Sequence, residues 1–499
     1  VYAGTITPWS AGSNNTTLDL FQPDGTTLIE QDLDDGSLVG TSSSIAGATL
    51  TQTGTHYVRV TNASTLNRLL PYDLHLRTQR GVPGNEPAEP NDMTVNPLPA
   101  SGWVTGVTSA ATDYDPYTIS VNAGDTIFAS LDLDPLRNNT PWNGQLYVGP
   151  FGGTTVLVVN DGSTSAANSE MLPVTVKNAG TYLVGVGAPT GVTTFGDYTL
   201  SVAVHPAMPA TANCTTYTST DIPKTIPTGP GNVSSTIVIP GRPRIADLDV
   251  SLNLTHTLPQ DLDITLTSPA GNINAIATDV GGSTGTTFTT WDVTLDDEAA
   301  FAATSFPLLN GTVVQPNNTY RLNWFDGEDA GGTWTLTLND DAANNGGTLN
   351  GWSITVCEPP AAPTCAGGMP MQATFTTDFE SGASGFTHSG TQDEWELGNP
   401  SAPPVTGCNS GTSCWKTDLD NNYNASSVQN LVSAPIDLTN RLAPAQLQWA
   451  MKYQVELAQY DHIYVEVREV GGANVKRVWE HFGPTMTASI GNPTTTIQE

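Results

Sequence analysis

Basic residues are scarce. Lys and Arg number 16 among 499 residues, against 48 Asp and Glu, for a formal charge of −32. Such a surface repels phosphate backbones and anionic lipid, which excludes nucleic acid as a partner. No run approaches the roughly 20 apolar residues that cross a bilayer as a helix, so no membrane span is expected. No long segment carries apolar residues at helical spacing, which leaves strands as the building element. Cysteines number five and histidines seven, the latter scattered one to three per segment. No HExxH pair and no GxSxG elbow feeding a helix stands out, so neither chemistry is expected here. A free-standing enzyme is therefore the weakest reading. The chain opens without a secretory leader, but Val1 reads as an internal position, so that absence carries little.

What the chain does have is short alternating segments. TTLDLFQPDGTTLIE, GTHYVRVTN, DTIFASLDLD and GDYTLSVAV each place apolar residues at every second position, as half-buried strands do. PDG at Pro23–Gly25 is a tight-turn signal between two of them. The length exceeds what one core supports. The fold class expected is all-β, a tandem array of β-sandwich and jelly-roll domains. Proline-rich breaks at GVPGNEPAEP, HPAMPATAN and EPPAAPTCAGGMP set boundaries near 1–80, 84–206, 212–358 and 371–499. Such stretches are semi-rigid, so an elongated array is expected. With few Lys and many Thr, Gly, Asn, Ser and Pro, the composition points to an extracellular or cell-surface location.

The first two segments repeat. Gly54–Arg77 and Gly180–Val204 share a G-T-Y/H-x-V strand, a loop and a second strand that carries a tyrosine near its start. The second unit adds EPAEPND at Glu86–Asp92 and DYDPYTISVNAGDTI at Asp113–Ile127. This arrangement resembles the bacterial pre-peptidase C-terminal (PPC) domain, which is similar to collagenase collagen-binding modules. The first unit lacks those opening blocks and reads as N-terminally incomplete. The resemblance implies that Glu89, Asn91, Asp92, Asp113 and Asp115 stand where relatives hold calcium. The same residues are ordinary turn chemistry.

The stretch His256–Val356 reads HTLPQDLDITLTSPAG, then WDVTLDDEAAF, then GGTWTLTLNDDAANNGGTLNGWSITV. That block order resembles the P domain (Homo B domain) that follows the catalytic domain in kexin- and furin-like proteases. None of the catalytic Asp, His or Ser blocks of those proteases is present. Cys214 and Cys357 bracket the P-like segment, and a bond between them would pin its first strand to its last. Cys408 and Cys414, in CNSGTSC, are close enough for a small disulfide loop, which leaves Cys365 over. Asp261 and Asp263 lie two apart on an expected strand and would share a face. With Asp296, Asp297, Asp340 and Asp341 they supply oxygens from three loops, enough in principle for one Ca²⁺. The competing reading is that they are solvated strand ends. His256 is expected to make a structural hydrogen bond, and His462 to lie on a strand.

The last segment runs TTDFESGASGFT, DEWELGNP, CWKTDLDNNY, VSAPIDLT and MKYQVELAQYDHIYVEV. It resembles MAM-like jelly-roll modules and reads as C-terminally incomplete. There the resemblance implies Glu380 and Asp461 as calcium positions. Trp334 and Trp352 are expected in the core, whereas Trp142, in NNTPWNGQ, is expected to be exposed. The function expected is a non-catalytic accessory or adhesion region of a larger secreted or surface protein, a protease among the candidates. Ca²⁺ would be the cofactor, and a matrix or cell-surface polymer or protein the partner. The second reading, a structural subunit of a filament or surface layer, would make copies of the chain its own partners through strand complementation.

Overall fold

A computed structural model describes residues 1–6, 15–33, 42–63, 72–88, 94–138, 140, 142–153, 157–159, 169–189, 191–207, 213–280, 289–303, 310–316, 321–359, 373–403, 405–439, 447, 449–451, 453, 455, 461–472, 474–480 and 497–498. Among these the regular structure is strand, interrupted only by short 3₁₀ turns at Pro259–Asp261 and Leu322–Phe325. The all-β reading holds.

Alternation builds the P-like unit. In Asp247–His256 the buried positions are Leu248, Val250, Leu252, Leu254 and His256. In Gly332–Asp340 they are Trp334, Leu336, Leu338 and Asp340. Period 2 thus turns each apolar set toward the other sheet. One layer is four-stranded, in the order Gly231–Ile239, Gly332–Asp340, Leu262–Thr267, Ile273–Thr278. The other begins with Cys214–Thr218 on Gly347–Cys357, then Asp247–His256, Thr290–Leu295 and Thr312–Val314. Trp291, Phe301, Phe325 and Trp334 fill the space between.

That second layer does not stop at the unit's edge. Ser169–Val176 of the preceding unit pairs with Thr312–Val314 through Thr175↔Val313 and Val176↔Thr312. The sheet then continues through Thr126–Asp132, Asp197–His205, Trp103–Val107 and Gly84–Asn85. Lys177 fastens the joint. Its backbone N–H donates to Gly311 O at 2.8 Å, and its ammonium sits 2.7 Å from Asp292 Oδ1.

The first unit consists of two three-stranded sheets around Ala3, Leu18, Leu20, Ile45 and Ala48. It packs on the second unit face to face. Trp103 Nε1 donates to the Tyr2 hydroxyl at 2.7 Å, and the His75 ring stacks on Phe128 at 5.3 Å. Gly4 is seated on Met171, and a Cβ there would lie 1.7 Å from the sulfur, so any larger residue would have to displace the Met171 side chain. The proline-rich breaks therefore do not space these three units apart as an elongated array. Their apolar faces are covered by one another. In the last segment the described strands form four separate two-stranded sheets, such as Thr387–Thr391 with Val428–Val432.

Trp142 is buried, not exposed as its loop position suggested. Its indole N–H donates to Asp197 O at 2.9 Å. Trp334 and Trp352 are buried as expected.

Candidate metal centres

The densest group of carboxyls lies in the P-like unit. Asp247 and Asp249 alternate with the buried Leu248 and Val250, which turns them to the opposite face of the strand. Asp296, Asp297 and Glu298 form the turn that follows Thr290–Leu295, the neighbouring strand. Asp297 accepts the backbone N–H groups of Leu322 and Asn323, both at 2.9 Å, and so caps the second 3₁₀ turn. Burial pushes its carboxyl up to about 6, against the pull of the buried Arg321. Asp296 accepts the Glu298 N–H at 2.7 Å.

Among the described residues no such cation acts on the rest of the group. Burial raises Asp249 to about 8, and the charges acting on it are all acidic: Asp296, Asp247 and Asp297. Its Oδ1 is buried with no hydrogen-bond partner. Burial, the hydrogen bond to Asp296 and the charge of Asp247 raise Glu298 to about 9. Burial and Asp296 also raise Asp247. Carboxylates pressed together in this way suit a hard cation in donor type and in charge. They are not drawn into a ligand shell, because among the described residues no three acids, histidines or cysteines adopt metal-binding geometry.

The other P-like candidates do not join them. Asp340 is fully buried against His256, 3.1 Å from its Nε2. His256 Nδ1 accepts the Leu258 N–H at 3.2 Å, so the ring proton sits on Nε2 and is donated to Asp340. Asp340 Oδ1 accepts the Ala342 N–H. Asp261 is not on a strand with Asp263. Pro259 opens a 3₁₀ turn that ends on Asp261, which breaks the period-2 alignment. Asp261 is buried and accepts Asn345 Nδ2 at 2.8 Å, and its carbonyl accepts the Asp341 N–H. Asp263 is partly buried on the outer face. Burial and the charges of Asp279 and Asp341 raise its pKa. His256 and Asp340 thus form a hydrogen-bonded clasp, while Asp261 is held separately by Asn345 and the Asp341 N–H. The proposed six-carboxylate convergence on one ion divides into this clasp, the Asp263 patch and the Asp296–Asp297 group.

In the second unit, Asp113 and Asp115 are both buried. Asp113 Oδ2 accepts the Ser109 N–H at 2.6 Å, while its Oδ1 is buried without a partner. The Tyr198 hydroxyl lies 3.0 Å from Asp115 Oδ2 and 3.1 Å from Glu86 Oε2. One hydroxyl proton serves one of these carboxylates at a time, and the Tyr117 hydroxyl is also within 2.8 Å. Burial, then the neighbouring Tyr117 and Asp115, drive the Tyr198 pKa far upward. Glu89, Asn91 and Asp92 lie outside the described residues. Glu86 was missed among the candidates, although it opens the EPAEPND block that contains three of them.

In the last segment, Glu380 accepts the backbone N–H groups of Thr412 and Ser413 at 2.8 and 2.7 Å. It thereby holds the loop closed by the Cys408–Cys414 disulfide. Asp461 accepts the Tyr423 hydroxyl. The Cys214–Cys357 bond is present, between residues directly opposite in the ladder. Cys365 lies outside the described residues. His462 stops two residues short of the strand Tyr464–Arg468.

The fold and its sites define a multi-unit all-β protein with buried carboxyl groups in its first three units. Residues 245–356 match the family model of the proprotein convertase P-domain, so the chain carries a P-domain. Bacillopeptidase F of Bacillus subtilis (strain 168) is 35% identical over 113 residues, which are 23% of this chain and 7% of that protein. The match therefore spans a small part of that relative. A solved serine protease of Aeromonas sobria has 18% identity and a TM-score of 0.16, covering 30% of this chain and 28% of its own. A putative secreted protein from Eubacterium rectale has 12% identity and a TM-score of 0.15, covering 52% and 74%. At those scores neither likeness bears on function.

Proposed function

We propose that this chain is a non-catalytic accessory region of a secreted or surface protease, and that it works by bracing and attachment. The observation that carries this reading is the P-domain match together with the joint at Thr175–Val176 and Thr312–Val313. A P-domain hydrogen-bonded into its neighbour's sheet transmits position and load, with no bond-breaking chemistry required. Among the described residues the one fully buried His–Asp pair is His256–Asp340, and its second ring nitrogen is engaged by a backbone N–H.

Ca²⁺ is the cofactor of this reading. Asp247, Asp249, Asp296 and Glu298 would hold one ion, and Asp113, Asp115 and Glu86 another. The supporting observations are the unpartnered oxygens of Asp249 and Asp113 and the mutual repulsion that raises the first group. The ion would supply charge neutralisation and cross-linking of strand to loop. The outward face of this body would attach to a matrix or cell-surface polymer or protein. We assign the 84–206 unit to the PPC type and the 371–499 unit to the MAM-like type on their sequence blocks.

Scanning calorimetry with a chelator and with calcium tests the cofactor. A calcium-dependent rise in the melting of the P-domain, absent with magnesium, is expected. No shift with calcium would overturn the assignment of the metal. Sedimentation of the full chain tests the alternative of a filament subunit, for which regular assembly in solution is required.

A further inference from the structure

The second unit carries a cavity of about 530 Å³ that lies outside the bracing joint and the carboxyl groups. One wall is Val107–Ser109, which runs off the end of the strand Trp103–Val107. The facing wall is Thr193–Gly196, which leads into the strand Asp197–His205. The Thr108 N–H donates to Gly196 O at 3.0 Å and ties the two walls together. Thr140 and Trp142 close the third side. Trp142 is 3% exposed, its N–H is held by Asp197 O, and a Cβ on Gly196 would stand 3.0 Å from its ring. That side is therefore fixed before anything binds.

Among the described residues the lining has no charged side chain, in a chain with 48 acids and 16 bases. It offers no carboxylate to a cation and no guanidinium or ammonium to an anion. What it offers is hydroxyl groups, on Ser109, Thr140, Thr193 and Thr194, all at exposed positions around the mouth. Among the described residues no hydrogen bond engages the hydroxyls of Ser109, Thr193 or Thr194. A hydroxyl donates and accepts at once, so a ring of them matches a ligand whose own groups are hydroxyls. Beside them stand two apolar surfaces, the half-buried Phe195 ring and Val107, which is 40% exposed. A peptide strand is the poorer match, because the backbone edge is already paired. The N–H groups of Val107, Thr108 and Ser109 go to Glu86, Gly196 and Asp113.

We propose that this cavity binds a neutral saccharide unit of a polymer, with Ser109, Thr193 and Thr194 hydrogen-bonding its hydroxyls and Phe195 lying against its C–H face. The proposal deepens the attachment reading above and rests on it for the polymer. The volume falls in the usual range of small-molecule sites, roughly 300–1,000 Å³. Asp197 starts the strand whose other end, His205, lies opposite Thr126 and, through it, Thr175 of the joint. Cavity and joint are thus roughly 26 Å apart along one strand, and a ligand in the first leaves the second untouched.

The test is a microarray of neutral oligosaccharides probed with the labelled full chain, followed by titration calorimetry with the soluble oligosaccharide that binds best. Saturable one-to-one binding is expected, weakened about tenfold by Phe195→Ala, the size of one lost aromatic contact. If Phe195→Ala melts early, Thr194→Arg repeats the test from an exposed position by filling the mouth, and abolishes binding. Phe151→Ser, 55% exposed and just past the far end of the strand Gln145–Pro150 from Trp142, leaves binding unchanged. An array on which no neutral glycan binds overturns the proposal, and so does binding that neither cavity variant weakens. Binding of gelatin that Thr194→Arg abolishes, with no glycan bound, would make the cavity a protein site and overturn the saccharide as its occupant. Cosedimentation with an insoluble polysaccharide separates this proposal from the attachment reading. Equal retention of wild type and Thr194→Arg would place attachment elsewhere and overturn the cavity alone. Binding of the soluble oligosaccharide without retention on the polymer would overturn attachment and uphold the ligand class.

Discussion

Replacing Asp249 by Asn tests the carboxyl group of the P-domain directly. Without calcium, burial and acidic neighbours hold Asp249 at about 8, against an ordinary 3.8. An acid whose folded pKa is raised is stabilised by its proton. That contribution is complete below the unfolded value and is lost as pH rises through the folded one. One pKa unit corresponds to about 1.4 kcal/mol, so moving from about pH 5 to about pH 8 withdraws about 4 kcal/mol from the wild type. Asn keeps the shape and cannot ionise. In chelator, calorimetry should therefore find Asp249→Asn more stable at alkaline pH. For a unit of this size the gap in melting temperature is of order 10 °C. Glu298, raised to about 9, leaves part of the slope in the variant. Calcium narrows the gap: an ion that binds only the folded state at about a hundredfold excess over Kd adds about 2.7 kcal/mol, and the variant forgoes it. Equal pH slopes for wild type and variant in chelator would refute the burial and repulsion argument. An undiminished calcium shift in the variant would remove Asp249 from the ligands.

Three further outcomes are expected. His256→Ala strands the Asp340 carboxylate in the core and costs about 3–5 kcal/mol, read as a lower denaturation midpoint with an unchanged slope. Burial and the neighbouring His205 hold His75 down at about 4, so its contribution is present above pH 6.5 and lost as pH falls through about 4. That amounts to about 3 kcal/mol between the first and second units, which His75→Gln removes, and hydrogen exchange of Asp73–Arg77 against pH reports it. Removing Cys214–Cys357 as a pair of serines opens a loop of 143 residues and costs up to about 5 kcal/mol, measured as the drop in P-domain melting.

Much of the fold was legible because one-sided burial writes a period of two into the chain. HTLPQDLDITLTSPAG and GGTWTLTLND announce their strands, and His256 and Asp340 fall on the inward set of each. The breaks in legibility have local causes. Pro259 starts a 3₁₀ turn, so Asp261 and Asp263 leave the shared face that strand spacing assigns to them. Asp247 and Asp249 read as the polar side of a core strand, and nothing near them in sequence reveals that Asp296 and Glu298 lie alongside. Glu86 was within reach, since it belongs to a block already singled out. Trp142 sits in a polar loop, yet its ring is enclosed and its N–H finds a carbonyl. Pairing of Thr175–Val176 with Thr312–Val313 leaves no mark on either segment, because a free edge and a joined edge have the same composition.

The joint also decides where this chain can be cut. HPAMPATAN looks like a seam, and excision there would normally release two soluble halves. Here the cut would bare the Thr175–Val176 edge on one piece and the Thr312–Val313 edge on the other, and would strand Lys177 away from Asp292. Fragments made at that seam should stick to one another or to themselves. The folding unit in this region is the sheet, which continues from one unit into the next.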